Sequence, residues 1–136
     1  MENSKPVKID LGNGWFKEFE YRVIVAGGRD FNDYDLLDEK LNFYFQNIPM
    51  EKVLIIGGGA KGADKLGKDW AKENIIEYKI FHADWDKHGK AAGPIRNKEM
   101  AEVATHLIAF DTGGKGTADM IRQANDFKLK IRVIKC

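Results

Sequence analysis

At 136 residues, 43% of them hydrophobic and 32% charged, the chain has the length and composition of one globular domain with its own buried core and leaves no room for a second. Lys and Arg total 22 against 21 for Asp and Glu, so no net field exists to hold nucleic acid or an anionic membrane surface by charge alone, and nucleic acid is not the expected partner. A single cysteine, Cys136, excludes an intrachain disulfide. Residues 1–10 lack the apolar stretch of a signal peptide and no apolar run approaches a membrane span, so the expected compartment is the cytoplasm.

Residues 1–20 read as an N-terminal arm or hairpin set ahead of a domain over residues 21–136. Residues 7–11 alternate, Gly12-Asn13-Gly14 offers a turn, and residues 15–21 carry the aromatics Trp15, Phe16, Phe19 and Tyr21; a disordered arm fits the same residues. Next, Val23-Ile24-Val25-Ala26, Val53-Leu54-Ile55-Ile56 and Leu107-Ile108-Ala109-Phe110 are continuous apolar runs, the pattern of strands covered on both faces. Tyr78-Lys79-Ile80-Phe81-His82 and Lys130-Ile131-Arg132-Val133-Ile134 mix in polar residues, as edge strands do.

Helical spacing separates these runs. Tyr34, Leu37, Leu41 and Tyr44 mark a first helix, with Asn32 or Asp33 available as its cap. Ala63, Leu66 and Trp70 mark a second. Pro94 suits the first turn of a third, with Met100, Val103 and Ala104 as its buried stripe; Ile121, Ala124 and Phe127 mark a fourth. Alternating strands and helices predict right-handed crossovers and a doubly wound, five-stranded parallel Rossmann-like sheet with helices on both faces. The order 3-2-1-4-5 puts the two polar-mixed strands at the edges and the three apolar ones in the middle.

In such sheets ligands bind beyond the carboxyl ends of the strands, where strand order reverses. The first strand leads into Gly27-Gly28-Arg29-Asp30-Phe31, and the fourth into Asp111-Thr112-Gly113-Gly114-Lys115-Gly116-Thr117. Glycine lets backbone N–H groups approach a phosphate, and the next helix N-terminus adds about half a positive charge. One such loop is read as a tight turn, but the second strand also ends in a glycine run, Gly57-Gly58-Gly59-Ala60-Lys61-Gly62-Ala63-Asp64, and three on one edge point to a binding site. The first loop lacks the spaced glycines of a dinucleotide fingerprint. In the second, Ala63 and Asp64 stand where a P-loop needs Lys and Ser or Thr.

The segment from Ala83-Asp84-Trp85 to Gly93-Pro94-Ile95-Arg96-Asn97 joins the third strand to the third helix. With the helix starting at Pro94, Arg96 falls in the first turn, where a cation is disfavoured by about 0.3–1 kcal/mol unless an anion such as phosphate is near. Trp85 and Phe31 are each either a stacking face for a base or a packing aromatic. His88 reads as a solvated loop residue, while His82 and His106 read as structural. Three scattered histidines and a terminal cysteine give no metal-ligand spacing, so no structural zinc is expected, while magnesium held by Asp together with ligand phosphates stays open as a cofactor.

Gly27-Gly28-Arg29-Asp30-Phe31, the stretch from Gly58 to Asp64, Ala83-Asp84-Trp85, Ala92-Gly93-Pro94-Ile95-Arg96-Asn97 with Met100, and Gly113-Gly114-Lys115-Gly116-Thr117 together resemble the YspA and YpsA-related branch of the SLOG superfamily. The resemblance runs from about Tyr21 to the C-terminus. It implies a Rossmann-like fold and the sensing or processing of nucleotides and nucleotide-derived ligands, often in phage, mobile-element or conflict settings. Its ligand-binding positions would be Gly27, Gly28, Arg29, Asp30, Phe31, Gly58, Gly59, Lys61, Gly62, Asp64, Trp85, Arg96, Asn97 and residues 113–117.

The superfamily also holds the LOG-type phosphoribohydrolases, whose Pro-Gly-Gly-x-Gly-Thr-x-x-Glu motif is similar to Gly113-Gly114-Lys115-Gly116-Thr117. Here Thr112 replaces the Pro and Met120 takes the place of the catalytic Glu. Asp119 lies one residue earlier, turned by about 100° on a helix. The expected function is therefore binding of ADP-ribose, NAD, a cyclic derivative or a nucleoside monophosphate. The alternative is N-glycosidic hydrolysis with Asp119 and Arg96 as catalytic residues; single-stranded DNA binding, suggested by the DNA-processing members, ranks third. Related domains often pair, so a homo-oligomer is an expectation as well.

Overall fold

The computed structural model describes residues 7–12 and 14–136, so Asn13 of the expected hairpin turn lies outside the described residues. Strands β1 (Val7–Gly12) and β2 (Trp15–Phe19) pair antiparallel with Val7 opposite Phe19, forming the hairpin. Its alternation has one purpose. Ile9 and Phe19 turn inward and are buried, while Lys8 and Asp10 face water.

The main sheet contains β3 (Tyr21–Gly27), β4 (Val53–Gly57), β5 (Glu77–Ile80), β6 (His106–Asp111) and β7 (Lys130–Lys135), all parallel, in the order β5-β4-β3-β6-β7. This is the order 3-2-1-4-5 anticipated from the sequence, with every residue of β4 buried and the polar-mixed β5 and β7 at the edges. Helices α1 (Tyr34–Tyr44) and α2 (Ala63–Glu73) cover one face with Val23, Val25, Ile55, Leu37, Leu41 and Trp70. On the other face α4 (Ala92–Val103) and α5 (Lys115–Asp126) share a second core with Ile24, Leu54, Ile56 and Leu107, which Ile9 and Phe19 of the hairpin complete.

Local chemistry sets the element ends. The Asp33 carboxylate accepts the Leu36 N–H at 3.0 Å and caps α1, a contact that contributes about 1 kcal/mol. Trp70 is fully buried on α2, and its indole N–H donates to Asp38 of α1 at 2.9 Å, which satisfies the one polar atom of that side chain. At the amino end of β3, buried Arg22 donates to the carbonyls of Val103 (2.6 Å) and Phe19 (2.8 Å), tying the hairpin, the sheet and α4 together on the side opposite the glycine loops.

Three expectations shift. Strand β5 ends at Ile80, leaving His82 in the following loop. Trp85 opens a one-turn helix, α3 (Trp85–His88), capped by Asp84. Helix α4 begins at Ala92, two residues before Pro94, so Arg96 is its fifth residue and lies beyond the first turn. Any of the first helical positions tolerates a missing N–H, so Pro94 fits the third as well as the first. The dipole argument for an anion beside Arg96 falls with that shift. Among the described residues no helix is long and apolar enough to cross a membrane.

Candidate functional site

Beyond the carboxyl ends of the strands, where order reverses between β3 and β6, a cleft of about 1050 Å³ opens. That volume suits a nucleotide-sized ligand. Four loops build it, and their backbone chemistry differs.

The β3 loop contributes Gly27, Gly28, Arg29 and Asp30. The Gly28 N–H donates to the Phe110 carbonyl at 3.1 Å and its own carbonyl accepts from Phe31 and Ala63, both at 3.2 Å, so this backbone is spent on the fold. Asp30 accepts the Thr112 hydroxyl at 2.8 Å, which joins the two loops across the switch point. Phe31 turns away from the cleft. Its buried ring packs on Phe110 with centroids 4.9 Å apart, in the core under α1 and α2, so it is a packing residue and no stacking face for a ligand.

The β4 loop brings Gly58, Gly59, Ala60 and Asp64 to the wall. Lys61 is exposed and stands outside the lining, as does Gly62. The latter holds φ +75° against the β3 loop, where a Cβ would collide with the Gly28 carbonyl oxygen. Buried Asp64, the second residue of α2, accepts the N–H groups of Gly58 (3.0 Å) and Ala60 (3.4 Å) on one carboxylate oxygen. Burial raises its pKa, while those two N–H groups and the Arg96 charge act against the rise.

The third wall holds Trp85, Gly93, Arg96 and Asn97. Trp85 is 59% exposed at the mouth, its ring edge close to Gly93. Arg96 was expected to grip phosphate. Its Nη1 instead donates to the Gly58 carbonyl at 2.7 Å and its Nε to Asn97 at 3.0 Å, so the guanidinium braces the β4 loop. Buried Asn97 in turn donates to Asp119 at 2.9 Å, and Asp119 also pairs with Arg122. Asp119 and Met120 both border the cleft, but Met120 is 1% exposed and packs in the core beneath α5.

The β6 loop is different. Gly113, Gly114, Lys115, Gly116 and Thr117 all reach the cleft. The Gly113 N–H donates to Asp111 at 2.8 Å, and this bond, followed by Lys135, holds the Asp111 carboxyl below its ordinary range. Gly114 caps α5 without a side chain, and the first N–H of the helix to find an acceptor is that of Ala118, on the Gly114 carbonyl at 3.2 Å. The N–H groups of Lys115, Gly116 and Thr117 have no acceptor among the described residues. A Cβ at Gly114 or Gly116 would meet nothing within 4 Å, so packing does not call for glycine there. Thr117 is 5% exposed, and its hydroxyl makes no hydrogen bond to a described residue.

Sequence reasoning passed over Thr112, Lys90 and His82, all on the cleft wall. Thr112 stands directly between β6 and its glycines, a position that could have flagged it. His82 was expected to be structural and is exposed instead. Among the described residues no group of three or more His, Cys, Asp or Glu side chains comes together to hold a metal.

Comparison with known proteins agrees with this fold. A family model described as the YspA, cpYpsA-related SLOG family matches residues 21–88. The Gene 61 protein of Mycobacterium phage D29 is 33% identical over 110 residues, covering 76% of this chain and 87% of the phage protein. The X-ray structure of DNA processing protein A (DprA) from Streptococcus pneumoniae superposes with a TM-score of 0.66 at 15% identity. It covers 85% of this chain, which spans half the length of that structure, and the likeness shows the fold. The chain belongs to the YspA, cpYpsA-related SLOG family, a group of nucleotide-binding Rossmann-like domains.

Proposed function

We propose that the cleft binds a phosphate-bearing, nucleotide-derived ligand, with the phosphate at the N-terminus of α5. The observation that carries this reading is the unspent polar end of that helix: three N–H groups and the buried Thr117 hydroxyl without a partner among the described residues. Of these groups only those of Thr117 are buried, where an unpaired donor costs about 1–3 kcal/mol, and a phosphate would satisfy them together with the exposed N–H groups while meeting the positive end of the helix dipole. Lys115 adds a cation beside it, and open space at Gly114 and Gly116 lets the anion reach the backbone. Exposed Trp85 offers an apolar face at the mouth for a base. Sensing or sequestering the ligand needs nothing more.

Hydrolysis of an N-glycosidic bond is the second reading, favoured by one observation. Asp119 lines the same cleft and its carboxylate is oriented by Asn97. It is placed to stabilise a developing ribosyl cation or to direct water, which Met120, buried in the core, is not. Arg96, braced on Gly58 and Asn97, is a positioning residue in this scheme. Single-stranded DNA binding remains third, since a net charge of +1 provides no basic track for a backbone.

Thermal unfolding with AMP, ADP-ribose, NAD and cyclic ADP-ribose tests the proposal. A ligand at 100 times its Kd adds about 2.7 kcal/mol of stability, a rise of several degrees in Tm for a domain of this size. No shift with any of them sinks the nucleotide reading. Given a hit, free base or sugar phosphate accumulating with time supports the hydrolase, and an unchanged ligand supports the binder.

A further inference from the structure

Among the described residues three carboxylates line the cleft, and they differ in what their oxygens already hold. Asp119 has both in use, one with the Asn97 amide at 2.9 Å and the other with Arg122. Asp30 accepts the Thr112 hydroxyl at 2.8 Å and lies exposed, where water completes its shell. Asp64 is 7% exposed, yet both of its hydrogen bonds fall on Oδ2, which accepts from Gly58 at 3.0 Å and Ala60 at 3.4 Å. Its Oδ1 has no hydrogen-bond or ion-pair partner among the described residues. A buried acceptor without a partner is costly, and an ionised carboxylate is completed only by a donor or a cation. We infer that Asp64 reads the sugar of the ligand: Oδ1 accepts a ribose hydroxyl, so the cleft selects ribonucleotides over their deoxy counterparts.

The inference rests on the nucleotide-binding reading and deepens it. A metal ion fits Asp64 poorly, since among the described residues no group of three or more His, Cys, Asp or Glu side chains gathers to hold one, and the Arg96 charge already acts on this carboxylate. A phosphate is itself an acceptor and is repelled. The remaining donors of a nucleotide are its ribose hydroxyls and any amino group of the base. The base has its face at the exposed mouth on Trp85, whereas Asp64 sits in the buried wall, the place for the sugar between base and phosphate. The acceptor is also set in advance. Burial works against the Asp64 charge, while the Gly58 and Ala60 N–H groups and Arg96 work for it, and a hydroxyl on Oδ1 would join them. Arg96 in turn holds the Gly58 carbonyl at 2.7 Å, so the loop that fixes Oδ2 is itself braced. A site built to hydrogen-bond a hydroxyl rejects the analogue that lacks it, because its own polar atom is then left unpaired.

The test is calorimetric titration of the full chain with AMP and with 2′,3′-dideoxy-AMP in EDTA, repeated on Asp64→Asn. The amide keeps an oxygen for the two loop N–H groups and replaces the charged acceptor with an NH2 group. The expected result is AMP binding about tenfold more tightly than the dideoxy nucleotide, a difference of about 1.4 kcal/mol, with most of that gap lost in Asp64→Asn. Equal affinities in the native chain overturn the sugar reading and leave nucleotide binding standing. A gap that Asp64→Asn leaves at full size also overturns it, because another group then reads the hydroxyls. If the variant does not fold, the Asp64 carboxyl carbon resonance of the native chain decides: it should move with AMP and stay in place with the dideoxy nucleotide, and equal movement with both overturns the inference. AMP that fails to bind overturns it too, and ADP-ribose, NAD and cyclic ADP-ribose in the thermal series then decide whether the nucleotide reading falls as well.

Discussion

The loops after β4 and β6 look alike as strings of residues, each a run of glycines between a buried strand and an amphipathic helix. They are opposites in chemistry. In the β4 loop several features that suggest a ligand have an internal owner: Gly58 makes room for Arg96, Gly62 for the Gly28 carbonyl, and two N–H groups bind Asp64. In the β6 loop the glycines at 114 and 116 have no packing reason, and the N–H groups of Lys115, Gly116 and Thr117 have no partner among the described residues. A glycine-rich loop is therefore a place where backbone can be approached, and the approaching group has to be identified before the loop is assigned to a ligand.

Substitutions at the two loops should separate them, beginning with the largest effect. Gly62→Ala combines a left-handed backbone with a collision against the Gly28 carbonyl, and should lose about 3 kcal/mol or more in denaturant unfolding. A loss below about 1 kcal/mol would show that the two loops are not packed as described. Arg96→Ala removes the brace on Gly58 and the charge near Asp64, and should cost about 1–3 kcal/mol, so any loss of ligand affinity must be read beside that loss of stability. An Arg96→Ala protein as stable as the native one, yet unable to bind, would return Arg96 to the role of a direct phosphate contact.

Gly116→Ala should act with opposite signs on its two readouts. Alanine in place of glycine on a helix with open space around it stabilises by about 0.5–1 kcal/mol, while the new methyl obstructs phosphate approach. Higher Tm with affinity reduced about tenfold is the expected pair, and unchanged affinity would make the β6 loop another turn. The smallest effect is in pH dependence. Burial raises Asp64 above its ordinary 3.8, so this group favours the folded state below 3.8 and that contribution is lost as pH climbs through the folded value. His106, pushed down from 6.5 to about 4 chiefly by burial, acts in the other direction: its contribution is present above 6.5 and lost as pH falls through about 4. Unfolding measured between pH 4 and 7 should therefore show Asp64→Asn losing the first limb and keeping the second. Superimposable native and variant profiles would contradict the buried placement of Asp64.

The sheet was legible because burial on two faces leaves its mark in adjacent residues. Val53-Leu54-Ile55-Ile56 carries no polar side chain and lies inside the sheet, whereas Lys130-Ile131-Arg132 does and lies at the edge. The cleft was legible in outline for the same reason, since its loops must follow those strands. What each loop does was hidden because the deciding partners are far away in sequence: Arg96 reaches back 38 residues to Gly58, and Thr112 reaches back 82 to Asp30. Phe31 misled because an aromatic beside a glycine run suits a ligand face or a core equally well, and only Phe110 across the sheet resolves it. Pro94 misled because proline marks the first turn of a helix and does not fix which residue of that turn it occupies.

The hairpin has a practical consequence. The family match begins at residue 21, so a chain shortened to that boundary would keep the five parallel strands and every loop of the cleft. It would also lose Ile9 and Phe19 from the cluster that holds Leu54, Ile56 and Met100, and the Lys79 ammonium would lose its bond to the Asp10 carbonyl at 2.7 Å. Stripped of that cover, the face beside α4 would present an oily slab to neighbouring molecules. Aggregation during purification, rather than a failed binding assay, would be the first symptom.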